Sequence, residues 1–153
     1  MTLSMDDLQL FKADLLQMDT ISCKGTLCLL PLGKKKKQKL IVGDDSGQLS
    51  CFEFKKGEPQ TVFIAKPFEG PISQVVLGGA DLRSDKIFAS HGQQIVGMTK
   101  KGKDFFKLTS TLTETIRSLV VEDSKIWTGC EFIFNLYNDG KDTAFYMSRY
   151  CEA

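Results

Sequence analysis

From residue 26 onward the chain is a series of short apolar runs, each cut off by Gly, Asp, Ser, Asn or Pro. That is the pattern of strands joined by tight turns. The best-marked stretch is 39–58, KLIVGDDSGQLSCFEFKKGE, with apolar runs on both sides of Asp44-Asp45-Ser46-Gly47 and a second turn at Gly57. Gly47 is free to take positive φ, and Leu49, Cys51, Phe52 and Phe54 carry the returning strand. The stretch recurs. Residues 86–104 (KIFASHGQQIVGMTKKGKD) and 125–142 (KIWTGCEFIFNLYNDGKD) superpose on it with Ile41, Ile87 and Ile126 in one slot and Gly57, Gly102 and Gly140 in one turn.

Around each copy the pattern predicts a first and a fourth strand: 26–31 and 61–65, then 72–77 and 105–108, then 116–121 and 144–147. Comparable first-strand positions, Thr26, Pro71 and Thr115, lie 45 and 44 residues apart. Four strands per unit at about 40–45 residues is the spacing of a β-propeller blade. The expected fold is all-β: three four-stranded antiparallel blades at 26–70, 71–114 and 115–153. Propellers close with about 4–8 blades, so three leave an incomplete ring, as in a piece of a longer polypeptide. Residues 1–25 form an N-terminal segment that could supply the closing strand of a last blade. Within it, Leu8, Phe11, Leu15 and Met18 make a helical stripe, whereas Leu8/Leu10 and Leu16/Met18 alternate as in a strand. The reading leans to a strand at 14–22.

Composition narrows the function more than the fold. With 153 residues there is room for one domain, and 42% hydrophobic with 25% charged residues is ordinary globular composition. Twenty basic against nineteen acidic residues give a net charge of +1, which exerts no long-range pull on nucleic acid. No apolar run approaches the ~20 residues that span a bilayer. Asp6 and Asp7 do not fit the basic start of a signal peptide, so the expected compartment is cytosolic. The five cysteines, Cys23, Cys28, Cys51, Cys130 and Cys151, form no CxxC pair and read as reduced, mostly buried thiols. The single histidine, His91, has no Cys or His at metal-binding spacing, so neither metal nor cofactor is expected.

Several constellations could carry chemistry. Asp44, Ser46, Gly47 and Glu53 match four positions of a calcium-binding EF-hand loop, but Val42 stands at the first position and the flanks are strands. A hairpin turn accounts for them. No phosphate-cradling glycine motif is present. His91 precedes Gly92 at a turn, without a nucleophile motif, and reads as an exposed turn residue. Lys34, Lys35, Lys36 and Lys37, with Lys39, form the strongest charge run. They could contact an anionic surface, at about 1 kcal/mol per cation near a membrane, or be a solvated loop between the first two strands. Lys55-Lys56 and Lys100-Lys101 precede equivalent turns and fall on one rim. The strand aromatics Phe52, Phe54, Phe63, Phe88, Phe105, Phe106, Trp127, Phe132, Phe134 and Phe145 read as core between blades. The innermost strands are mostly apolar, which speaks against an enzyme with polar side chains converging on a central channel.

The segments DLLQMDTISCKGTLCLLP (14–31), IVGDDSGQLSCFEFKKGE (41–58), VLGG (76–79), DKIFASHGQQIVGMTKKGKDFF (85–106), LTETI (112–116) and FNLYNDGKD (134–142) resemble, in the same order, the N-terminal β-propeller of the Bardet-Biedl syndrome protein seven family, a BBSome subunit. The resemblance covers nearly the whole chain from Asp14 onward. It implies a non-enzymatic scaffold and protein-interaction module, with no catalytic residues to carry over. It implies a place in a coat-like adaptor that moves membrane proteins into and out of cilia. The implied partners are other BBSome subunits, especially propeller-bearing ones, and, through the assembled complex, ciliary membrane-protein cargo and an ARF-like GTPase. The implied location is the cytoplasm, basal body and cilium, with peripheral association at the ciliary membrane. The alternative is a WD-type peptide-binding propeller of another multiprotein complex.

Overall fold

The computed structural model describes residues 17–32, 37–79 and 85–148. Among these, the first sheet comprises β1 (Ser22–Leu30), β2 (Lys39–Asp44), β3 (Leu49–Lys55) and β4 (Glu58–Ala65). The second comprises β5 (Gln74–Gly78), β6 (Lys86–His91), β7 (Gln94–Thr99) and β8 (Asp104–Thr109), and the third β9 (Ser118–Glu122), β10 (Lys125–Gly129), β11 (Ile133–Asn138) and β12 (Lys141–Met147). All three are antiparallel with strands in chain order. Strand β1 lies against β5, and β5 against β9, so the first strands line the inside of an unclosed arc of three blades. This is the expected propeller architecture.

Two cores hold the arc together, one at each junction between blades. Ile41, Leu49 and Cys51 of blade 1 meet Val75, Ile87, Ala89, Val96 and Met98 of blade 2. Phe88 and Ile95 of blade 2 meet Leu119, Val121, Ile126 and Tyr137 of blade 3. A two-faced sheet of four strands buries its apolar rows only against another sheet, so both faces of blade 2 are core.

The three turns at Gly57, Gly102 and Gly140 are equivalent, with φ of 85, 80 and 75°. The isoleucine slot is not. Ile41 shares a row with Cys28, Cys51 and Phe63, and that row faces forward onto blade 2. Ile87 and Ile126 face backward, toward the preceding blade. Residues matching Ile41 are therefore Phe88, in the row Val76-Phe88-Gly97-Phe106, and Trp127, in the row Val120-Trp127-Leu136-Ala144. The turn between the second and third strands has four residues in blade 1, two in blade 2 and three in blade 3. No ungapped superposition keeps both turns and faces aligned, and a one-residue slip reverses every side chain.

Each outer strand pair carries a register shift, at Cys51/Phe52, Gly97/Met98 and Leu136/Tyr137. In blade 2 the shift leaves Phe105 as the extra residue, and Phe105 and Phe106 both pack edge-on to Phe88, at centroid distances of 5.7 and 6.1 Å. Gly97 lies beneath this cluster; a methyl there would come to 3.0 Å from the Phe88 and Phe105 rings and from the Phe106 Cβ. A bulge and a glycine together make room for the aromatic cluster.

The strands expected to open at Ile72 and Ile116 begin two residues later. The Ile72 and Ile116 amides instead donate to the carbonyls of Asp44 and Gly92 in the preceding blade, at 3.0 and 2.8 Å. The next residues, Ser73 and Arg117, donate to Ser90 and Gly129 of their own blade. At the other end, β1 starts earlier than expected, because a bulge around Gly25 (φ 83°) lets Ser22 pair with Asp44. The strand expected at 14–22 lies partly outside the described residues. Of its described part, 17–22, only Ser22 is strand, as the first residue of β1; the Ile21 carbonyl accepts from the Asp45 amide.

Gly47 and Gly57 share a left-handed backbone, φ 87 and 85°, but differ in surroundings: a methyl on Gly47 would overlap the Phe68 carbonyl, and one on Gly57 meets nothing within 4 Å. Gly57→Ala is expected to cost about 1–2 kcal/mol from backbone strain alone. Gly47→Ala is expected to cost more than about 3 kcal/mol, since overlap adds to strain. Urea unfolding midpoints of the two variants check this; equal losses would show that the turn does not bear on the 66–72 linker.

Candidate functional site

Asp44, Glu53 and His91 are held by structural partners. Asp44, wholly buried, accepts from the Ser46 amide and hydroxyl at 3.0 and 2.8 Å, the Gln48 amide at 2.9 Å and the Thr20 hydroxyl at 2.9 Å. Burial pushes its pKa up, but the combined hydrogen bonds from Gln48, Ser46 and Thr20 outweigh that and leave the carboxyl below its ordinary value. This is the hairpin turn, with the carboxylate standing in for a backbone acceptor. Glu53 is bound to the Lys37 ammonium at 2.9 Å, and that contact, against a smaller desolvation effect, lowers its pKa. Among the described residues no group of three or more His, Cys, Asp or Glu could hold a metal ion.

His91 is half-buried rather than exposed. Its Nδ1 donates to the Pro71 carbonyl at 2.8 Å and its ring tilts against Phe68 at 5.6 Å, so it fastens the linker between blades 1 and 2. Cys51 is buried, Cys28 and Cys130 are half-buried and Cys23 is exposed; all four are free thiols, and Cys151 lies outside the described residues. Burial pushes the Cys28 and Cys51 thiols up to about 11, which keeps them protonated and unreactive. Lys34, Lys35 and Lys36 also lie outside the described residues, and Lys37 is engaged by Glu53.

What the arc offers is surface. On blade 3 the forward row is uncovered: Trp127 is 47% exposed, where the matching Phe88 of blade 2, covered by blade 3, is 5% exposed. Val120 beside it, and Phe134 and Tyr146 on the same face, are equally open. On blade 1 the backward face presents Leu27, Leu29 and Ile64. The expectation that all strand aromatics are core therefore fails for Phe105, Trp127, Phe132, Phe134 and Phe145, which are exposed. Trp127 and Phe134 sit on the forward face of blade 3, which no further blade covers. Alternation in the sequence marks these residues as apolar, but only the blade order tells which face lacks a neighbour.

A three-blade arc with this row pattern can be compared with known proteins. The family model described as the BBS7 beta-propeller matches residues 27–151. The chain belongs to the BBS7 beta-propeller family. It is 40% identical over 144 residues to mouse (Mus musculus) BBSome complex member BBS7, covering 93% of this chain and 20% of that protein. It is 27% identical over 139 residues to BBSome complex member bbs-7 of Caenorhabditis elegans, covering 89% of this chain and 19% of that protein. The chain thus spans about a fifth of the length of these relatives. The crystal structure of Saccharomyces cerevisiae Sqt1 is similar in fold alone, with a TM-score of 0.61 at 14% identity, over 72% of this chain and 36% of that one.

Asp44 makes a pH-dependent contribution to this BBS7-family arc. Its folded pKa lies below the unfolded value of about 3.9, so the contribution is complete above that value and is lost as pH falls through the folded one. Asp44→Asn is expected to lose about 1–3 kcal/mol at pH 7 and to show a smaller further loss than the parent between pH 5 and pH 2. Urea unfolding across that range checks it; parallel pH profiles for the two proteins would exclude the role.

Proposed function

We propose that the chain is a non-catalytic scaffold and interaction module of a BBSome, the coat-like adaptor that carries membrane proteins to and from cilia. The observation that carries this reading is the BBS7 propeller match across 27–151, continuous through all three blades. A non-catalytic role fits the use of Asp44, Glu53 and His91 in turns and linkers. In this reading the arc works within a longer polypeptide whose further blades cover the forward face of blade 3 and the backward face of blade 1. Its partners are other BBSome subunits, above all those with propellers of their own. Membrane-protein cargo and an ARF-like GTPase are met through the assembled complex, in the cytoplasm, at the basal body and at the ciliary membrane.

Affinity purification of the longer protein carrying this segment from ciliated cells tests the reading. Recovery of the other BBSome subunits in comparable amounts is the expected result; their absence would overturn it in favour of a WD-type peptide-binding propeller in another complex.

The lysine run is a candidate contact to the membrane surface within the same reading. Lys34, Lys35 and Lys36 are its main contributors, since Lys37 is partly neutralised by Glu53. At about 1 kcal/mol per cation, changing Lys34 to Lys37 to Ser is expected to weaken sedimentation with phosphatidylserine liposomes by tenfold or more at low salt. Unchanged sedimentation would remove the run from the membrane contact.

A further inference from the structure

The net charge of +1 conceals an uneven distribution. Ser22 of β1 pairs with Asp44, and the Ile72 amide bonds to the Asp44 carbonyl, so β1 and β5 start at the same end of the arc. The β3–β4 and β7–β8 turns therefore project together from the other end, and both are basic. Lys55 and Lys56 lead into Gly57, and Lys100, Lys101 and Lys103 surround Gly102; all five lysines are exposed. Lys100 lies 3.9 Å from Asp85, but Lys56, Lys101 and Lys103 form no ion pair among the described residues. The two turns are also neighbours, because the second seats on the outer strand that leaves the first: a Cβ on Gly102 would lie 2.7 Å from the Phe63 ring of β4.

Backbone preference does not account for Lys56. It occupies the first position of a two-residue turn with both residues left-handed, Lys56 at φ 53° and Gly57 at 85°. The equivalent turn of blade 3 has Asp139 at 49° and Gly140 at 75°. Asp, Asn and Gly take this conformation at low cost, whereas lysine has no short polar group to offset it. The β7–β8 turn is longer and is braced from within. The Thr99 hydroxyl accepts from the Lys101 and Lys103 amides at 3.4 and 3.2 Å, which fixes the two lysines on either side of Gly102. Both stay exposed although Gly102 is packed on Phe63, so a blade packed on Gly57 would leave Lys56 exposed in the same way.

We propose that these two turns together receive an acidic, extended segment of a partner protein. Between them runs the first half of β4, where Gln60 and Thr61 are exposed. From Gly57 to Phe63, at about 3.3 Å per residue, is about 20 Å, the reach of about six extended residues. Carboxylates toward one end of such a segment meet Lys55 and Lys56, and those toward the other meet Lys101 and Lys103. Glu58, exposed beside Gly57, is outnumbered by the two lysines of its own turn. A segment this narrow also avoids Asp123 and Asp139, the exposed carboxylates at the same end of blade 3, which a flat anionic surface spanning all three blades would meet. The charge complementarity is local, so it coexists with a chain that is nearly neutral overall. The inference rests on this rim and not on which assembly the chain serves.

Titration of the 15N-labelled 153-residue chain with acetylated, amidated hexaglutamate, a peptide kept extended by its own charge, tests it through amide chemical shifts. Binding at low salt is expected with shifts centred on residues 55–61 and 99–104, and several-fold weakening when salt is raised from 50 to 200 mM. Hexaglutamine and hexalysine should bind at least about tenfold more weakly, and so should hexaglutamate to the variant with Lys56→Ser, Lys101→Ser and Lys103→Ser together. Lys56→Asn separates binding from folding. It removes one charge and relieves the turn, so it should weaken binding about two- to fivefold while the urea midpoint stays equal or rises. Equal binding of hexaglutamine, shifts centred elsewhere, or unchanged binding by the triple variant would overturn the site. Loss of sedimentation with phosphatidylserine liposomes on the triple substitution, with hexaglutamate binding intact, would assign the rim to a membrane and overturn the acidic partner. Because no other subunit is involved, failure here is distinct from failure to recover a BBSome.

Discussion

A sheet of four strands has two faces and no interior. Every other feature of this chain follows from the need to set each face against a neighbouring blade. Blade 2 meets that need on both sides, through Ile87 and Met98 backward and Phe88 and Ile95 forward. Blades 1 and 3 each meet it on one side only. The stability of the arc therefore resides in two junctions, and the residues that matter most for it are those whose rows cross from one sheet to the next. The forward row shows how different side chains solve one packing problem: Ile41 with Cys51 and Phe63, Phe88 with Gly97 and Phe106, Trp127 with Leu136 and Ala144. Where the middle strand gives up volume at Gly97, its neighbours on both sides are phenylalanines.

Polar groups are spent on geometry at the edges of those faces. Asp44 closes the first hairpin and carries the Ile72 amide on its own carbonyl, so one residue serves both a turn and a junction. His91 does the same for the linker through Pro71. Against this background Asn135 Oδ1 and Thr128 Oγ1 stand apart, buried with no hydrogen-bond partner among the described residues.

The fold was legible because strand and turn signals are local. Gly57, Gly102 and Gly140 mark one turn three times, and their spacing already gives the blade. Facing was not legible from the same signals: Ile41 looks like Ile87 in sequence, but turns of unequal length put the two on opposite faces. Nor was the start of each blade, because Ile72 and Ile116 are as apolar as strand residues while their amides belong to the preceding sheet.

The junction hydrogen bonds also give the arc a direction. The acceptor at Asp44 precedes its donor at Ile72, and the acceptor at Gly92 precedes its donor at Ile116. Each blade is thus tied to the one before it by the residues that open it, and every such bond reaches back along the chain.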